Sequence, residues 1–377
     1  MDPKTAPPIV PAFFTCALLA CVSVSVAGEV DSNGHWELGA PVEGGETIEL
    51  PKADRNITAA YFSDDPQRSP LVTELVPEGG KVSLIVPPGD GGAVVLEVAE
   101  ESKQFPEGRI VFSALDAKVA GNRAKLETHP GNHRIGFWSS IDDTVGWSYK
   151  ATRPGMYEVE LSYSLAGGAE NRVQISVGGE KVAGSLSPTG SWYRYTVAKL
   201  GRIYIEKAGP VEVQVKGLEL NAAALMNLKA VTLRPAPEGK PVVQAADGTI
   251  EIDSSAATVH STKMQYERNP KKLCLGFWVN PADWASFTFT LKKPGKYRVE
   301  LTQGCGGSGG SEVDLIAGGK TIPFVVEGTG GFQNWKARDL GEVHFAEAGE
   351  QRLEVRPRTK KGGAVMDIRR IRLLPVD

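Results

Sequence analysis

The sequence has few cysteines, few histidines and no concentration of charge of one sign. Lys and Arg number 42 against 45 for Asp and Glu, a formal net charge of −3, and the two signs are mixed along the chain. Because a nucleic-acid-binding face needs a basic patch, the missing Lys/Arg stripe argues against nucleic acid as a partner. Beyond the N-terminus, no segment is long and apolar enough to read as a transmembrane helix.

Signals for catalysis and for metal binding are also scarce. No phosphate loop is found. The carboxylate pair Asp142-Asp143 is predicted to be a turn or a solvated edge, because neighbouring residues on a strand point to opposite faces. The histidines stand in no zinc-binding spacing, and Pro130 between His129 and His133 forbids the helix that would bring those two together. These positions are His35, His129, His133, His260 and His344. We therefore predict no catalytic residue and no metal ligand.

The N-terminus resembles an export signal. Lys4 precedes a mostly apolar stretch, and Ser25-Val26-Ala27 places small residues where signal peptidase cuts, which predicts a signal peptide over 1–27. A second interpretation stays open, because Leu18-Leu19-Ala20-Cys21 fits a bacterial lipobox and would leave a lipid anchor on Cys21. Under either interpretation the mature protein is exported, as a secreted or periplasmic protein or as a lipoprotein of the cell envelope.

Two cysteines remain in the mature chain, Cys274 and Cys305. An exported protein could join them in a disulfide, or both could be buried thiols. The residues that correspond to them in the first half of the repeat described next are Arg134 and Leu165, so the fold does not depend on such a bond.

The main feature that is present is a repeat. Residues 108–235 match residues 248–375 without a gap after a shift of about 140 positions, and about thirty of the roughly 128 aligned positions are identical. Gly136-Phe137-Trp138 falls on Gly276-Phe277-Trp278, and Pro154-Gly155 falls on Pro294-Gly295. The period is that of a whole domain, so the sequence predicts two copies of one module, here called repeat 1 (108–235) and repeat 2 (248–375).

The apolar period within the repeats is two. Tyr157, Val159 and Leu161 alternate with polar residues, as in a half-buried strand. Residues 29–100, unlike the repeats, contain four short apolar runs (47–50, 57–62, 81–86 and 93–98) separated by turns rich in Pro and Gly. We therefore predict an all-β protein with a small N-terminal β-sandwich-like domain over 29–100, followed by two tandem jelly-roll β-sandwiches.

The aromatic residues of the repeats are candidates for binding. An indole or phenol ring can stack on the C–H face of a sugar. Trp147 and its counterpart Phe287 lie within alternating strands and are predicted to be core. Trp138 and Trp278 end a strand just before a turn, and Trp192 and Phe332 follow a Thr-Gly turn, so we expect these four at the rim of each sandwich. The alternative is that they too belong to the core.

The order of these motifs resembles the carbohydrate-binding modules of families 6 and 35, which are galactose-binding-like jelly rolls. It consists of Gly-Phe-Trp, Pro-Gly-x-Tyr-x-Val-x-Leu, Thr-Gly-x-aromatic, Leu-Gly and Ala-Gly, and it covers both repeats. Repeat 2 is similar to modules appended to bacterial α-L-fucosidases and sulfatases, through the run 304–312 and the segment 364–368. The first domain weakly resembles the C-terminal sandwich of α-L-fucosidases, whose catalytic barrel has no counterpart here.

The resemblance implies a site in each repeat. Family 6 modules hold sugar between two rim aromatics with an Asn from the last strand, which corresponds to Trp138, Trp192 and Asn227 in repeat 1 and to Trp278, Phe332 and Asp367 in repeat 2. An ionised Asp only accepts hydrogen bonds, so the second site departs from the pattern. Such modules often carry a structural calcium held by a Glu-x-Glu pair. The stretch 110–117 has no such pair, so no cofactor is expected.

Three functions follow as hypotheses. The first is an exported, non-catalytic protein that binds a polysaccharide or glycan through its two modules. The second is an accessory or remnant part of a glycoside hydrolase such as an α-L-fucosidase, without the catalytic barrel. The third is a structural or protein-interaction module of the cell envelope, which would gain support if Trp138 and Trp192 were buried. Jelly rolls host many functions, so fold analogy does not choose among these.

Overall fold

A computed structural model of the chain describes residues 29–38, 47–50, 55–76, 81–87 and 92–376. The predicted signal peptide and the lipobox at Cys21 lie outside these ranges. Within them, no helix combines the length and the apolar character needed to cross a bilayer.

The N-terminal domain is a small sandwich of two three-stranded antiparallel sheets, ordered β1-β6-β3 and β4-β5-β2. Four of its strands match the apolar runs of the sequence, whereas β1 and β4 were not predicted. The core between the sheets includes Trp36, Leu84 and Leu96. The strands are β1 (His35–Leu38), β2 (Thr47–Leu50), β3 (Ile57–Phe62), β4 (Val72–Val76), β5 (Lys81–Ile85) and β6 (Val94–Val98).

Repeat 1 is a sandwich of two antiparallel sheets with one core between them. One sheet runs β10-β11-β18-β13-β16, with β8 paired to β18 on the same edge as β11, and the second runs β15-β14-β17-β12-β9. A short strand β7 (Lys103–Gln104) pairs with β8. The strands are β8 (Ile110–Ser113), β9 (Lys118–Ala120), β10 (Lys125–Glu127), β11 (Arg134–Gly136), β12 (Thr144–Ala151), β13 (Gly155–Ser164), β14 (Asn171–Val177), β15 (Glu180–Leu186), β16 (Arg194–Ile205), β17 (Gly209–Glu219) and β18 (Asn227–Pro235).

Repeat 2 has the same two sheets. One runs β22-β23-β30-β25-β28 with β20 beside β30, and the other runs β19-β24-β29-β26-β27 with β21 beside β24. The strands are β19 (Val242–Val243), β20 (Ile250–Asp253), β21 (Ala257–His260), β22 (Gln265–Glu267), β23 (Cys274–Gly276), β24 (Trp284–Leu291), β25 (Gly295–Cys305), β26 (Gly309–Ala317), β27 (Lys320–Glu327), β28 (Gly331–Phe345), β29 (Gly349–Pro357) and β30 (Asp367–Pro375).

The two sandwiches repeat each other strand for strand. The strands β8, β11, β12 and β18 begin 140 residues before β20, β23, β24 and β30. The cores also correspond, since Trp147 and Phe287 are both buried as predicted. The predicted fold class, an all-β chain of a small sandwich and two jelly rolls, is confirmed.

The N-terminal domain joins repeat 1 through a shared sheet. Strand β4 pairs with β16, where Thr73 faces Tyr195 and Glu74 faces Arg194, so the sheet of repeat 1 continues into β4-β5-β2. Tyr195 contributes its ring to the core of the N-terminal domain. The outer face of this sheet in repeat 1 is therefore covered.

Repeats 1 and 2 meet through two arginines. The Arg153 Nε donates to the carbonyl oxygen of Ser261 over 3.0 Å, and the guanidinium of Arg268 stacks 3.4 Å from the centre of the Tyr204 ring. The Arg268 Nε also bonds Glu238 of the connector.

Candidate functional site

The Gly-Phe-Trp motif forms a turn directly after β11 and again after β23. Phe137 and Phe277 adopt the left-handed backbone conformation, with φ of 54° and 57°. This conformation costs an L-residue about 1–2 kcal/mol, and it is a genuine outlier for a bulky side chain. Both rings point to solvent, with 65% and 53% of their area exposed. The same strained turn with the same exposed ring thus occurs in both copies.

The turn sends the next residue inward, which corrects the prediction for the two tryptophans. Trp138 and Trp278 are completely buried within the cores of their repeats. The Trp278 indole donates to the carbonyl oxygen of Asp283 over 2.9 Å. Neither indole can stack on a saccharide, because each is buried in the core of its repeat.

Trp192 and Phe332 are half-buried and do not form a two-ring clamp with Trp138 and Trp278. The Trp192 ring packs against the core of repeat 1. The Phe332 ring lies on the glycine-rich turn after β25, so close that a Cβ on Gly306 would be 2.6 Å from it. The clamp of two aromatics implied by the resemblance is therefore not formed in either repeat.

Asn227 and Asp367 do begin the last strand of each repeat, beside the exposed phenylalanines. Asn227 is buried, and its Nδ2 donates to the carbonyl oxygen of Trp192 over 3.0 Å. A Cβ on Gly136 would lie 3.1 Å from the Asn227 Oδ1, and one on Gly276 would lie 3.3 Å from the Asp367 Oδ1. Each polar side chain is thus packed against the glycine that precedes the exposed Phe.

A charged pair completes the site in repeat 1. Arg134 on β11 makes a two-pronged bond to Glu127 on β10, with its Nε 2.9 Å and its Nη2 3.0 Å from the carboxylate oxygens. The guanidinium also lies 6.0 Å from the centre of the half-exposed Tyr193 ring. We call this group rim site 1. It consists of Glu127, Arg134, Phe137, Tyr193 and Asn227.

The corresponding group in repeat 2, rim site 2, has no arginine. Cys274 takes the place of Arg134, and its Sγ is 3.6 Å from the Asp367 Oδ2 and 3.9 Å from the Glu267 Oε1. Burial, and then the negative charge of Glu267, raises the pKa of Asp367 to about 7. Burial also raises the pKa of the Cys274 thiol. The group consists of Glu267, Cys274, Phe277, Gln333 and Asp367.

The glycine of the Gly-Phe-Trp motif leaves room for a carboxylate to pack closely against the strand. A Cβ at Gly136 would lie 2.2 Å from the Glu127 Oε2, and one at Gly276 would lie 2.4 Å from the Glu267 Oε1. Contacts this short do not occur between real atoms, so only glycine lets the carboxylate approach the strand. The glycine therefore shapes the polar floor of each rim site.

Several other sequence predictions have a structural outcome. Cys274 and Cys305 are both free and buried, which is the buried-thiol alternative. Asp142 is exposed, but Asp143 is not a solvated residue as predicted, because its carboxylate accepts bonds from the backbone N–H groups of residues 122–124. The run 306–310 also contains the letters of a Gly-x-Ser-x-Gly nucleophile elbow, which sequence inspection missed. It lies where the chain crosses from β25 of one sheet to β26 of the other, rather than at a strand-to-helix turn.

Sequence reasoning missed the exposed rings of Phe137 and Phe277. It also missed the polar groups beside them on the short strands β10, β11, β22 and β23, which are Glu127, Arg134, Glu267 and Cys274. The recurrence of Gly-Phe-Trp in both repeats is the signal that could have identified the two rings. A phenylalanine that follows a glycine at the same turn in both copies is a candidate for an exposed contact residue. The partners Glu267 and Cys274 face each other across a pair of short strands, which their separation in sequence does not reveal.

Comparison with known proteins gives one family match and no curated relative. Residues 119–237 match the model of a domain of unknown function, DUF5077, which covers most of repeat 1 and about a third of the chain. No curated protein matches the chain.

Solved structures similar to the chain include carbohydrate-binding modules. A family 35 module from Clostridium thermocellum is 18% identical, with a TM-score of 0.29 over 33% of this chain and 97% of its own. A C-terminal family 6 module of LamC from Zobellia galactanivorans is 20% identical, with a TM-score of 0.28 over 33% of this chain and 98% of its own. A Paenibacillus xanthan lyase is 17% identical, with a TM-score of 0.33 over 89% of this chain and 33% of its own. The two module families are those that the sequence motifs resemble; at these scores, no residue role is transferred from them.

Proposed function

We propose that this protein is an exported, non-catalytic glycan-binding protein that contacts saccharides at rim sites 1 and 2. The observation that supports it most is the pair of phenylalanines whose rings are held in solvent by a strained backbone in both repeats. Strained residues cluster at functional sites, where the surrounding structure maintains them. A fold that twice keeps an apolar ring out of its core uses that ring for contact.

The neighbours of each ring suit a sugar. An aromatic face supplies apolar stacking to the C–H face of a pyranose, while nearby polar groups bond its hydroxyls. Rim site 1 supplies the guanidinium of Arg134, the phenol of Tyr193 and the carboxylate of Glu127. Lys125 also stands 6.0 Å from the centre of the Phe137 ring. These groups can both donate to and accept from hydroxyls.

Two sites on one chain favour a polymeric ligand. When one repeat is bound, the second meets the same polymer at an effective concentration of order mM. The affinity for a long polysaccharide then exceeds that for a short oligosaccharide without any new contact. This supports a polysaccharide as the ligand class.

The test is retention of the full chain on a panel of insoluble polysaccharides and on a glycan array. Phe137→Ala and Phe277→Ala should each weaken binding about 3- to 10-fold, the range expected for one stacking contact. The double variant should lose about 100-fold or more on a polymer, because avidity disappears. Val325→Ala, at an exposed apolar residue on β27, is the matched control and should bind like the parent. Undiminished retention of the double variant, or binding to no glycan at all, would refute the proposal.

The protein-interaction hypothesis also has a specific observation in its favour, in addition to the burial of Trp138. Strand β4 and the core of the N-terminal domain already dock on the sheet of repeat 1, so a jelly roll of this type can bind a β-domain. If the array shows no glycan binding, this becomes the leading function. The Phe137→Ala and Phe277→Ala variants then test whether the rings contact a protein instead.

A further inference from the structure

Rim site 2 brings together three donor groups that can bind a metal. The Cys274 Sγ, one carboxylate oxygen of Glu267 and one of Asp367 all lie within 4.8 Å of one another. Four-coordinate zinc holds thiolate sulfur at about 2.3 Å and carboxylate oxygen at about 2.0–2.2 Å, which places its donors roughly 3.5 Å apart. The Sγ–Oδ2 distance of 3.6 Å and the Sγ–Oε1 distance of 3.9 Å are close to that separation.

Asp367 supplies an independent indication of a cation. Its side chain is 96% buried, with 4% of its area exposed, yet no Lys, Arg or His of the described chain forms an ion pair with it. Its Oδ2 accepts hydrogen bonds from the Cys274 thiol over 3.6 Å and from the Gln333 amide over 3.4 Å. Its Oδ1 accepts no hydrogen bond from any described residue and faces the space above Gly276, where the Glu267 Oε1 also lies. A buried carboxylate is stabilised by an opposite charge, by a metal ion or by taking up a proton, and a metal ion bound by the trio would take the place of the proton.

Repeat 1 shows what fills the same place when the chain provides its own cation. There the guanidinium of Arg134 lies against Glu127, and Asn227 is neutral, so the three positions carry −1, +1 and 0 and sum to zero. In repeat 2 Glu267 and Asp367 carry −2 when both are ionised, and Lys272, which bonds the Glu267 Oε2, returns the sum to −1. At these three positions repeat 2 therefore lacks the guanidinium of repeat 1 and has a thiol and a second acid instead.

We propose that rim site 2 binds one divalent cation of the zinc class through the Cys274 Sγ, the Glu267 Oε1 and an oxygen of Asp367. A sulfur donor with two carboxylates suits zinc better than calcium or magnesium, which prefer all-oxygen sites. Binding forms the metal–sulfur bond and releases the thiol proton to the buffer, as metal binding to protonated ligands does. Three protein ligands leave a fourth position for water, as in open zinc sites.

This proposal does not depend on glycan binding, so the two can fail separately. Lys272 keeps the Oε2 of Glu267 and leaves Oε1 for the metal. The Phe277 ring supplies no donor, so Phe277→Ala should bind the cation as the parent does. A result in which glycan binding is absent and metal binding is present would separate the two functions.

The test uses the full chain without an affinity tag. Titration calorimetry with ZnCl₂ should give one site per chain, and CoCl₂ should produce the absorption of a thiolate-to-cobalt charge transfer. Cys274→Ser should remove that absorption, and Cys274→Ser and Asp367→Asn should each weaken zinc binding at least about 10-fold. Cys305→Ser, at the other buried thiol, is the matched control and should keep both signals.

A second readout guards against misfolded variants. In the parent protein, zinc should slow the alkylation of Cys274 relative to Cys305, as measured by peptide mass spectrometry under mild urea. The variant Cys274→Arg, which installs the residue of repeat 1, should stay folded by circular dichroism and lose zinc binding. A stoichiometry of zero, cobalt binding without the sulfur absorption, or zinc affinity unchanged in Asp367→Asn would each overturn the proposal.

Discussion

The two repeats present the outer face of the same sheet in opposite ways. In repeat 1 the face on β13, β16 and β18 is covered by the N-terminal domain, and Lys229 and Ala230 are buried there. In repeat 2 the corresponding residues are Arg369 and Arg370, which lie on an open face. The comparison teaches that the covering of a sheet is decided by a few outward residues, while the cores of the two sandwiches remain alike.

A buried ion network fixes the covered face. The Arg234 Nη2 lies 2.9 Å from the Glu97 Oε2 of the N-terminal domain and 2.8 Å from the Glu160 Oε2 of β13. Burial alone would raise the pKa of Glu97, but Arg109 and Arg234 hold it well below its usual value. In repeat 2 the position of Arg234 holds Leu374, and Arg372 on the same strand pairs with Glu300 in partial contact with water.

The largest effect is expected from Arg234→Leu, which gives repeat 1 the residue of repeat 2. It leaves two buried carboxylates short of a partner, and breaking a buried pair in this way costs about 3–5 kcal/mol. Urea unfolding should show a loss of that size, with faster hydrogen exchange in peptides covering β4 and β6. Arg372→Leu in repeat 2 should cost at most about 1 kcal/mol, because its ion pair is partly solvated. Equal losses in the two variants would contradict this account.

A smaller effect is expected from Ala230→Arg. Ala230 packs against Ala99, Phe105 and Val111 without space for a longer side chain. Overpacking costs about 1–3 kcal/mol, and the N-terminal domain should become sensitive to limited proteolysis near residue 100. The reverse change, Arg370→Ala in repeat 2, should leave stability within about 0.5 kcal/mol. A protease-resistant Ala230→Arg protein would show that the face tolerates the charge.

The smallest effect, counted per pH unit, is a slope of stability with pH that comes from Lys229. Burial lowers the pKa of Lys229 to about 7, with Glu100 raising it and Arg134 lowering it further, whereas an unfolded lysine titrates near 10.4. Between these values the unfolded chain binds more protons, so the free energy of unfolding should rise with pH by up to about 1.4 kcal/mol per unit. Unfolding curves at pH 7, 8 and 9 should show this rise in the parent protein.

Lys229→Met should flatten that dependence, because the buried group no longer titrates. Arg369→Met, at the matching position of repeat 2, should leave the slope of the parent unchanged. If the free energy of unfolding changes with pH equally in the parent and in Lys229→Met, then Lys229 keeps an ordinary pKa although the N-terminal domain buries it.

Much of the fold could be predicted, because the alternation of apolar residues along each strand and the repeat after 140 residues can both be read directly from the sequence. The alternation of Tyr157, Val159 and Leu161 gave a strand that the structure contains, and Trp147 was correctly placed in the core. The shared sheet was not predictable, since the pairing of Thr73 with Tyr195 joins residues more than a hundred positions apart and β4 was itself missed.

The sequence singled out the Gly-Phe-Trp turn, but it placed the tryptophan rather than the phenylalanine in solvent. The motif Gly-Phe-Trp was recognised because it recurs in both repeats. The direction of each ring, however, depends on the sign of φ at Phe137 and Phe277. That sign follows from packing of the whole turn, with Trp138 filling the core, and no local pattern encodes it. The trio of Glu267, Cys274 and Asp367 was missed because Asp367 comes from a strand nearly a hundred residues farther along.

The ladder shared by β4 and β16 also decides where this chain can be divided. A cut between residues 100 and 108 would uncover the edge of β16 and the ring of Tyr195, the kind of bare edge that promotes aggregation. In repeat 2 the corresponding sheet ends at β28. This strand carries Lys336, Arg338 and Asp339 along its length, and such a charged edge discourages further pairing. The second jelly roll is therefore the one suited to transplantation onto another protein, whereas the first should be moved together with the domain in front of it.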